Sequence, residues 1–215
     1  MIGVVLAVRD QAQYVGEAID SVLAQSVPAS QIVLVDDASV DDTAAIARER
    51  GATVVSGPGK GPAIARNIGV RELETEFISF LDGDDRYTPD RNRLLLEAID
   101  GGVVAGGRVR EFYDPGREAE LSQQFAISDQ PTTGSVTAML MRRSEFDRHG
   151  GFSEEPGAHD FFGLMHALGT PVQIDDVVLE RRVHGANRSI VDREGIRQEY
   201  LRSARAAILA RRGQS

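Results

Sequence analysis

Short apolar runs that alternate with segments of helical spacing confine this chain to a small set of folds. Val4–Val8, Ile32–Val35, Thr53–Val55 and Phe77–Leu81 are apolar nearly without interruption. Continuous rather than alternating apolar character marks strands covered on both faces. Between the first two runs, Val15, Ala18, Ile19, Val22 and Leu23 recur at helical spacing. Ser39, with Asp42 three residues on, reads as a capping box that opens a helix through Arg50. Pro62 suits the first turn of a helix carrying Ile64, Ile68 and Leu73. Thr88-Pro89 opens another, with Leu94, Leu95 and Ile99 on it. This rhythm predicts an α/β fold: a parallel sheet covered by helices on both faces.

The second half is less regular. Val103–Ala105 and Val136–Met141 read as strands, and 159–168 and 193–212 as helices. Residues 111–134 are polar and predict a long loop or an exposed strand pair. No repeat or linker interrupts the chain, and 215 residues fit one large domain.

Two of the apolar runs end in carboxylates: Val35-Asp36-Asp37 and Leu81-Asp82-Gly83-Asp84-Asp85. Ligands of open parallel sheets bind outside the carboxyl ends of the strands, so both acid groups belong on one rim. Acids at strand ends can simply cap turns. Two such groups on one rim repel each other, and a cation or hydrogen-bond donors must compensate them. The second group, with carboxylates two apart, suits a hard divalent cation that also binds substrate phosphates. Gly57-Pro58-Gly59-Lys60-Gly61-Pro62 leads into the helix bearing Arg66-Asn67. It is either a plain loop or a backbone that approaches a ligand at a helix N-terminus. It is not a Walker loop, because no Ser or Thr follows Lys60.

Charge supports this placement. Residues 1–100 carry 17 acidic and 9 basic side chains, whereas 101–215 carry 16 and 15. The overall charge of -9 argues against nucleic acid as a partner. With no cysteine, thiol catalysis and disulfides are excluded. No segment approaches the roughly 20 apolar residues of a membrane span. Residues 2–8 have no basic region before them and do not read as a signal peptide. A cytoplasmic location is expected.

Together these residues resemble the inverting family 2 glycosyltransferases, which have the GT-A nucleotide-sugar fold. The resemblance spans residues 2 to about 190. Ser21–Ser26 looks like the family's S-x-x-x-Q-[ST] helix end, and Ile32–Thr43 is similar to its V-D-D-[GS]-S-x-D-x-T segment. Gly61, Ala65, Arg66, Asn67 and Gly69 match G-x-x-x-A-R-N-x-G, and Leu81–Asp85 matches L-D-x-D-D. Met141–Phe152 resembles the segment ending in G-G-F, and Arg182–Ser189 the late R-x-H-x-x-N-x-S motif. His159-Asp160 stands where the family has Glu-Asp. Ala7-Val8-Arg9-Asp10 stands where it has P-x-Y-N.

The resemblance implies a single GT-A-type, Rossmann-like α/β sandwich over residues 1–215, with a mixed, mostly parallel central sheet and helices on both faces. Residues 1–107 would form the nucleotide-sugar half, 108–192 the acceptor half and 193–215 a C-terminal helix. It implies transfer from a nucleoside diphosphate sugar, with UDP the expected carrier, to a carbohydrate, lipid-linked or small-molecule acceptor. Asp160 would be the general base. Asp85 would hold Mn²⁺ or Mg²⁺ on the diphosphate, and His184 would be a further metal ligand or a diphosphate donor. Ala7, Arg9, Asp36, Asp37, Arg66, Asp82 and Asp84 would surround the nucleotide, with Arg182 near the diphosphate. His159 would touch the acceptor or tune the base. His149 and His166 carry no motif and read as structural. The basic stretch with Arg202, Arg205, Arg211 and Arg212 is either an ordinary packed helix or a peripheral membrane contact.

Two other functions fit the same sheet. A sugar-phosphate nucleotidyltransferase needs a Gly-rich basic loop straight after strand one, and residues 9–16 supply none. A catalytically inactive nucleotide- or sugar-binding module is consistent with the altered residues at 7–10 and 159.

Overall fold

The computed structural model describes residues 1–125, 127–128, 130–154 and 160–184, with the side chains of 160–162 left aside. Strand β1 (Ile2–Val8) is buried along almost its whole length and pairs in parallel with β2 (Gln31–Asp36) and with β4 (Phe77–Leu81). Helix α1 (Val15–Leu23) connects β1 to β2, α2 (Thr43–Glu49) leads into β3 (Thr53–Ser56), and α3 (Pro62–Arg71) leads into β4. Next come β5 (Arg86–Tyr87), α4 (Arg91–Ala98), β6 (Val104–Phe112) and α5 (Glu118–Leu121). A 3-10 turn at Val136–Ala138 opens β7 (Met139–Arg142), and α6 (Arg143–Arg148), α7 (Asp160–Leu168) and β8 (Val172–Arg182) complete the described chain.

The eight strands form one sheet in the order β3-β2-β1-β4-β7-β6-β8-β5. Pairs β1–β2, β1–β4, β2–β3 and β6–β8 are parallel; β4–β7, β6–β7 and β5–β8 are antiparallel. The expected mixed, mostly parallel α/β sheet is what the chain forms.

Side-chain alternation divides the core. Val4, Leu6 and Val8 point to one face, where α1 brings Val15, Ala18, Ile19 and Val22 and α4 brings Leu95. Val5 points to the other, with Ala65 and Val70 of α3, Phe146 of α6, and Leu164 and Leu168 of α7. Helix α3 lies so close to β1 that a Cβ on Gly69 would come 2.4 Å from a Val5 methyl. The register pairs Val8 with Asp36 and Leu6 with Leu81, so β1, β2 and β4 end on one rim.

Some local expectations are corrected. The helix after Ser39 begins at Thr43, and no side-chain cap bond is made by Asp42. The Ser39 hydroxyl instead accepts from the Asp10 N–H, 2.9 Å away, so it ties two loops together rather than capping a helix. The helix expected from Thr88-Pro89 starts at Arg91. The strand expected from Val136 begins at Met139, after the 3-10 turn. In 111–134, residues 111–112 extend β6, α5 follows, and Thr132 bridges to Val109. Strand β8, which no apolar run announced, is the longest in the sheet. The helix expected over 193–212 lies outside the described residues.

Candidate active site

The rim is built first from β1 and β2. Past β1, Arg9 is exposed and its Nε lies 3.7 Å from Asp10. Asp10 adopts a positive φ of 53° and accepts the Val40 N–H at 2.8 Å. Ala7 sits beside Val35 in the sheet, half-buried against the second core cluster. At the end of β2, Asp36 accepts the Ser39 N–H at 3.1 Å. Asp37 is only 5% exposed. Its two carboxylate oxygens accept the N–H groups of Gly59 and Gly61, each at 2.7 Å. Gly59 and Gly61 have φ of 73° and 102°, which glycine alone adopts without strain. The glycine loop is thus wound around the Asp37 carboxylate, and these two N–H groups already have an anionic partner.

The turn after β4 carries the remaining acids, and each has its own partner. Asp82 binds Arg66 Nη2 at 2.9 Å. The Arg66 guanidinium also lies 5.6 Å from the Phe152 ring centroid. Asp84 Oδ2 is 3.0 Å from His184 Nε2. Asp85 is 3% exposed and accepts the backbone N–H of Arg182 at 3.0 Å. Burial, then the neighbouring charges of Asp82 and Asp84, push the Asp85 carboxyl well above its ordinary range. Arg181 and the Arg182 N–H oppose that shift without cancelling it. The expectation made Asp85 the carboxylate that faces a cation. The structure turns Asp85 inward against β8 and sets Asp84 opposite His184.

Strand β8 supplies the other wall. His184 is 5% exposed, and its ring centroid is 4.9 Å from that of Tyr14. Two residues earlier, the Arg182 side chain lies among Glu17, Asp114 and the Asp84 carbonyl. Next to the acidic turn, Arg86 on β5 reaches Glu17 at 2.6 Å and Glu180 at 2.5 Å. Burial raises the Glu17 and Glu180 carboxyls, but the arginines bound to them outweigh it and hold both below their ordinary range.

The segment after α6 is anchored through Asn67 of α3. Its amide accepts the Phe152 N–H at 3.0 Å and donates to the Phe152 carbonyl at 2.9 Å. It also donates to Glu154 at 2.9 Å. Asp160 is the first residue of α7; its side chain and His159 lie outside the described residues. His149 follows α6, 4.0 Å from Glu145, and His166 lies in the last turn of α7.

Comparison with known proteins agrees with this architecture. A family model described as "Glycosyl transferase family 2" matches residues 3–166. The chain belongs to glycosyl transferase family 2. Succinoglycan biosynthesis protein ExoO of Rhizobium meliloti (strain 1021) is 37% identical over 133 residues, covering 59% of this chain and 38% of ExoO. Mannosyltransferase PcManGT from Pyrobaculum calidifontis, solved in complex with GDP-Man and Mn²⁺, superimposes with a TM-score of 0.72 at 20% identity. That match covers 96% of this chain and 64% of PcManGT. S. aureus TarS 1–349 in complex with UDP-GlcNAc gives 0.66 at 19% identity, covering 86% and 59%. These two likenesses show the shared fold. The chain spans less than half the length of the first curated relatives it matches.

Tyr14, Glu17, Asn67 and Asp114 surround the rim without having been singled out for it. Asn67 lay in the G-x-x-x-A-R-N-x-G match. Tyr14 and Glu17 are joined to the rim by contacts that cross most of the chain, and Asp114 by one that spans 68 residues, which no local spacing reveals.

Proposed function

We propose that this chain transfers a glycosyl group from a nucleoside diphosphate sugar to an acceptor hydroxyl, inverting the anomeric carbon. The Asp84–His184 pair carries the reading. A carboxylate oxygen and an imidazole nitrogen 3.0 Å apart fit neighbouring ligands of an octahedral divalent ion, whose ligand edge is about 3.0 Å for bonds near 2.1 Å. The mixed oxygen and nitrogen donors favour Mn²⁺ over Mg²⁺, which prefers oxygen alone. Among the described residues no three His, Asp or Glu side chains converge on one point. A pair of protein ligands matches cations that complete their shell with water and substrate phosphates. A bound ion supplies Lewis-acid neutralisation of the leaving diphosphate.

The chain's own residues do the rest. Arg66, braced by Asp82 and Phe152, presents a guanidinium at the same rim. Asp37 and the glycine loop, with Ala7, Arg9 and Asp36, shape the nucleotide end. Asp160, at the N-terminal end of α7, takes the acceptor hydroxyl proton. The acceptor oxygen then bonds to the anomeric carbon as the bond to the diphosphate breaks. No covalent enzyme intermediate is required. UDP is the carrier we favour. The solved neighbours named for UDP-GlcNAc and GDP-Man support the nucleotide-sugar class rather than one base. A growing envelope polysaccharide, free or lipid-linked, is the acceptor class we favour, supported by the succinoglycan relative. No helix among the described residues is long and apolar enough to cross a membrane. We place the reaction in the cytoplasm, with peripheral membrane contact for a lipid-linked acceptor.

A thermal-shift panel of UDP, GDP, dTDP and CDP, with and without Mn²⁺, tests the donor reading. One nucleotide is expected to stabilise the protein in a Mn²⁺-dependent way. Asp160→Asn should keep that shift and lose turnover by about 10²–10⁴-fold. Undiminished turnover in Asp160→Asn rejects the base. Nucleotide binding with no turnover in wild type favours the inactive module, and no shift with any nucleotide rejects the donor reading.

A further inference from the structure

Arg182 closes β8 with its side chain only 4% exposed. All three guanidinium nitrogens are engaged. Nε donates to the Asp84 carbonyl at 2.9 Å, Nη1 to Asp114 Oδ1 and Nη2 to Glu17 Oε2. Its backbone N–H donates to Asp85 Oδ1 at 3.0 Å. The guanidinium carbon stands 4.9 Å from the Tyr14 ring centroid and 4.7 Å from that of Phe112. One residue therefore grips the acidic turn twice, through main chain and side chain. Tyr14 lies against both Arg182 and His184.

This arrangement does not suit a phosphate-binding arginine. Such a residue presents its N–H groups to the anion, whereas here each guanidinium nitrogen already donates to a carboxylate or a carbonyl and the side chain is almost wholly buried. We propose that Arg182 is the positioning residue of the cation site. It locks the Asp84–Asp85 turn onto β8 and so sets the spacing between Asp84 and His184, two residues further along. The inference rests on the cation reading above, and the experiment separates the two.

Charge and position predict opposite signs for the loss of this residue. Removing a cation beside Asp82, Asp84 and Asp85 draws a divalent ion in more tightly if Coulomb attraction alone governs. Losing the brace weakens binding, because groups that orient metal ligands typically contribute about 10–100-fold in affinity. The probe is Mn²⁺ alone, titrated into the full chain and followed by the electron paramagnetic resonance of the free ion. Arg182→Met is expected to bind Mn²⁺ about 10–100-fold more weakly than wild type, with its circular dichroism unchanged. Arg182→Lys keeps the charge but cannot fill the three-way fork, so it should remain well below wild type. Unchanged or tighter Mn²⁺ binding in folded Arg182→Met overturns the proposal, as does full affinity in Arg182→Lys.

Should Arg182→Met fail to fold, Asp114→Ala removes the acceptor of one arm of the fork and is expected to weaken Mn²⁺ several-fold; unchanged affinity there overturns the proposal. If wild type takes up no Mn²⁺, the cation reading fails on its own. Hydrogen exchange over residues 82–87 then decides the role of Arg182. Protection lost in this segment alone in Arg182→Lys supports the brace, and unchanged protection rejects it.

Discussion

Asn67 pairs with Phe152 as one strand residue pairs with another, accepting from its N–H at 3.0 Å and donating to its carbonyl at 2.9 Å. A side chain of α3 thus does the work of a sheet ladder for a segment that has none. Both Phe152 groups are buried, so leaving them unpaired costs the full desolvation of each. Asn67→Ala is expected to destabilise the fold by about 2–4 kcal/mol, read as a lower urea midpoint. A change under about 0.5 kcal/mol is what an ordinary surface substitution gives and would show that water replaces the amide.

Asp84 and Asp85 are adjacent, yet one faces His184 and the other lies inside. Asp84→Asn should abolish the Mn²⁺-dependent part of nucleotide binding, as should His184→Ala. Asp85→Asn should keep it within a few-fold, because an amide oxygen can still accept the Arg182 N–H. Isothermal titration with and without Mn²⁺ separates the two. The reverse ranking of these variants returns the cation to Asp85.

Glu17 and Glu180 sit among Arg86, Arg110 and Arg182. Both are held below the ordinary glutamate value of about 4.3, so folding favours their ionised forms. Their contribution is fully present above that ordinary value and disappears as pH falls through the lower folded values. The urea midpoint should therefore fall on acidification below about pH 4.3. Glu180→Gln, already lacking one of the two, should show a shallower decline over the same window. Parallel wild-type and variant curves would exclude Glu180 from the acid response.

Gly69 brings α3 against Val5 of β1, with no room for a methyl group. Gly69→Ala should cost about 1–3 kcal/mol through overpacking. Adding Val5→Ala makes space, so the double variant should lose less than the sum of the single changes. A double-mutant cycle in urea measures that coupling, and simple additivity would contradict the contact.

Strands β1, β2 and β4 were legible because both their faces are buried, which leaves uninterrupted apolar runs. Strand β8 was not. It holds Asp175, Asp176, Glu180, Arg181 and Arg182, and it lies between β6 and two-residue β5, where charged side chains reach solvent or one another. The rim itself followed from acids at two strand ends. Which acid turns inward did not, because β8 decides it across 97 to 100 residues. The Ser39 reading failed for a similar reason: the hydroxyl spacing suits a local cap, but Asp10, 29 residues away, takes the bond. Glu17 gave no signal at all, since its contact with Arg182 spans 165 residues.

The late arrival of β8 has a consequence for biogenesis. As the chain leaves the ribosome, Asp82, Asp84 and Asp85 emerge about 100 residues before His184. During that interval β1 to β4 can already pair, while the acidic turn stays hydrated and mutually repelling. Until the last described strand docks, Asp84 lacks His184 and Asp85 lacks the Arg182 N–H, so a nascent or truncated chain ending before residue 172 would pair β1 to β4 with the acidic turn still unpartnered by either.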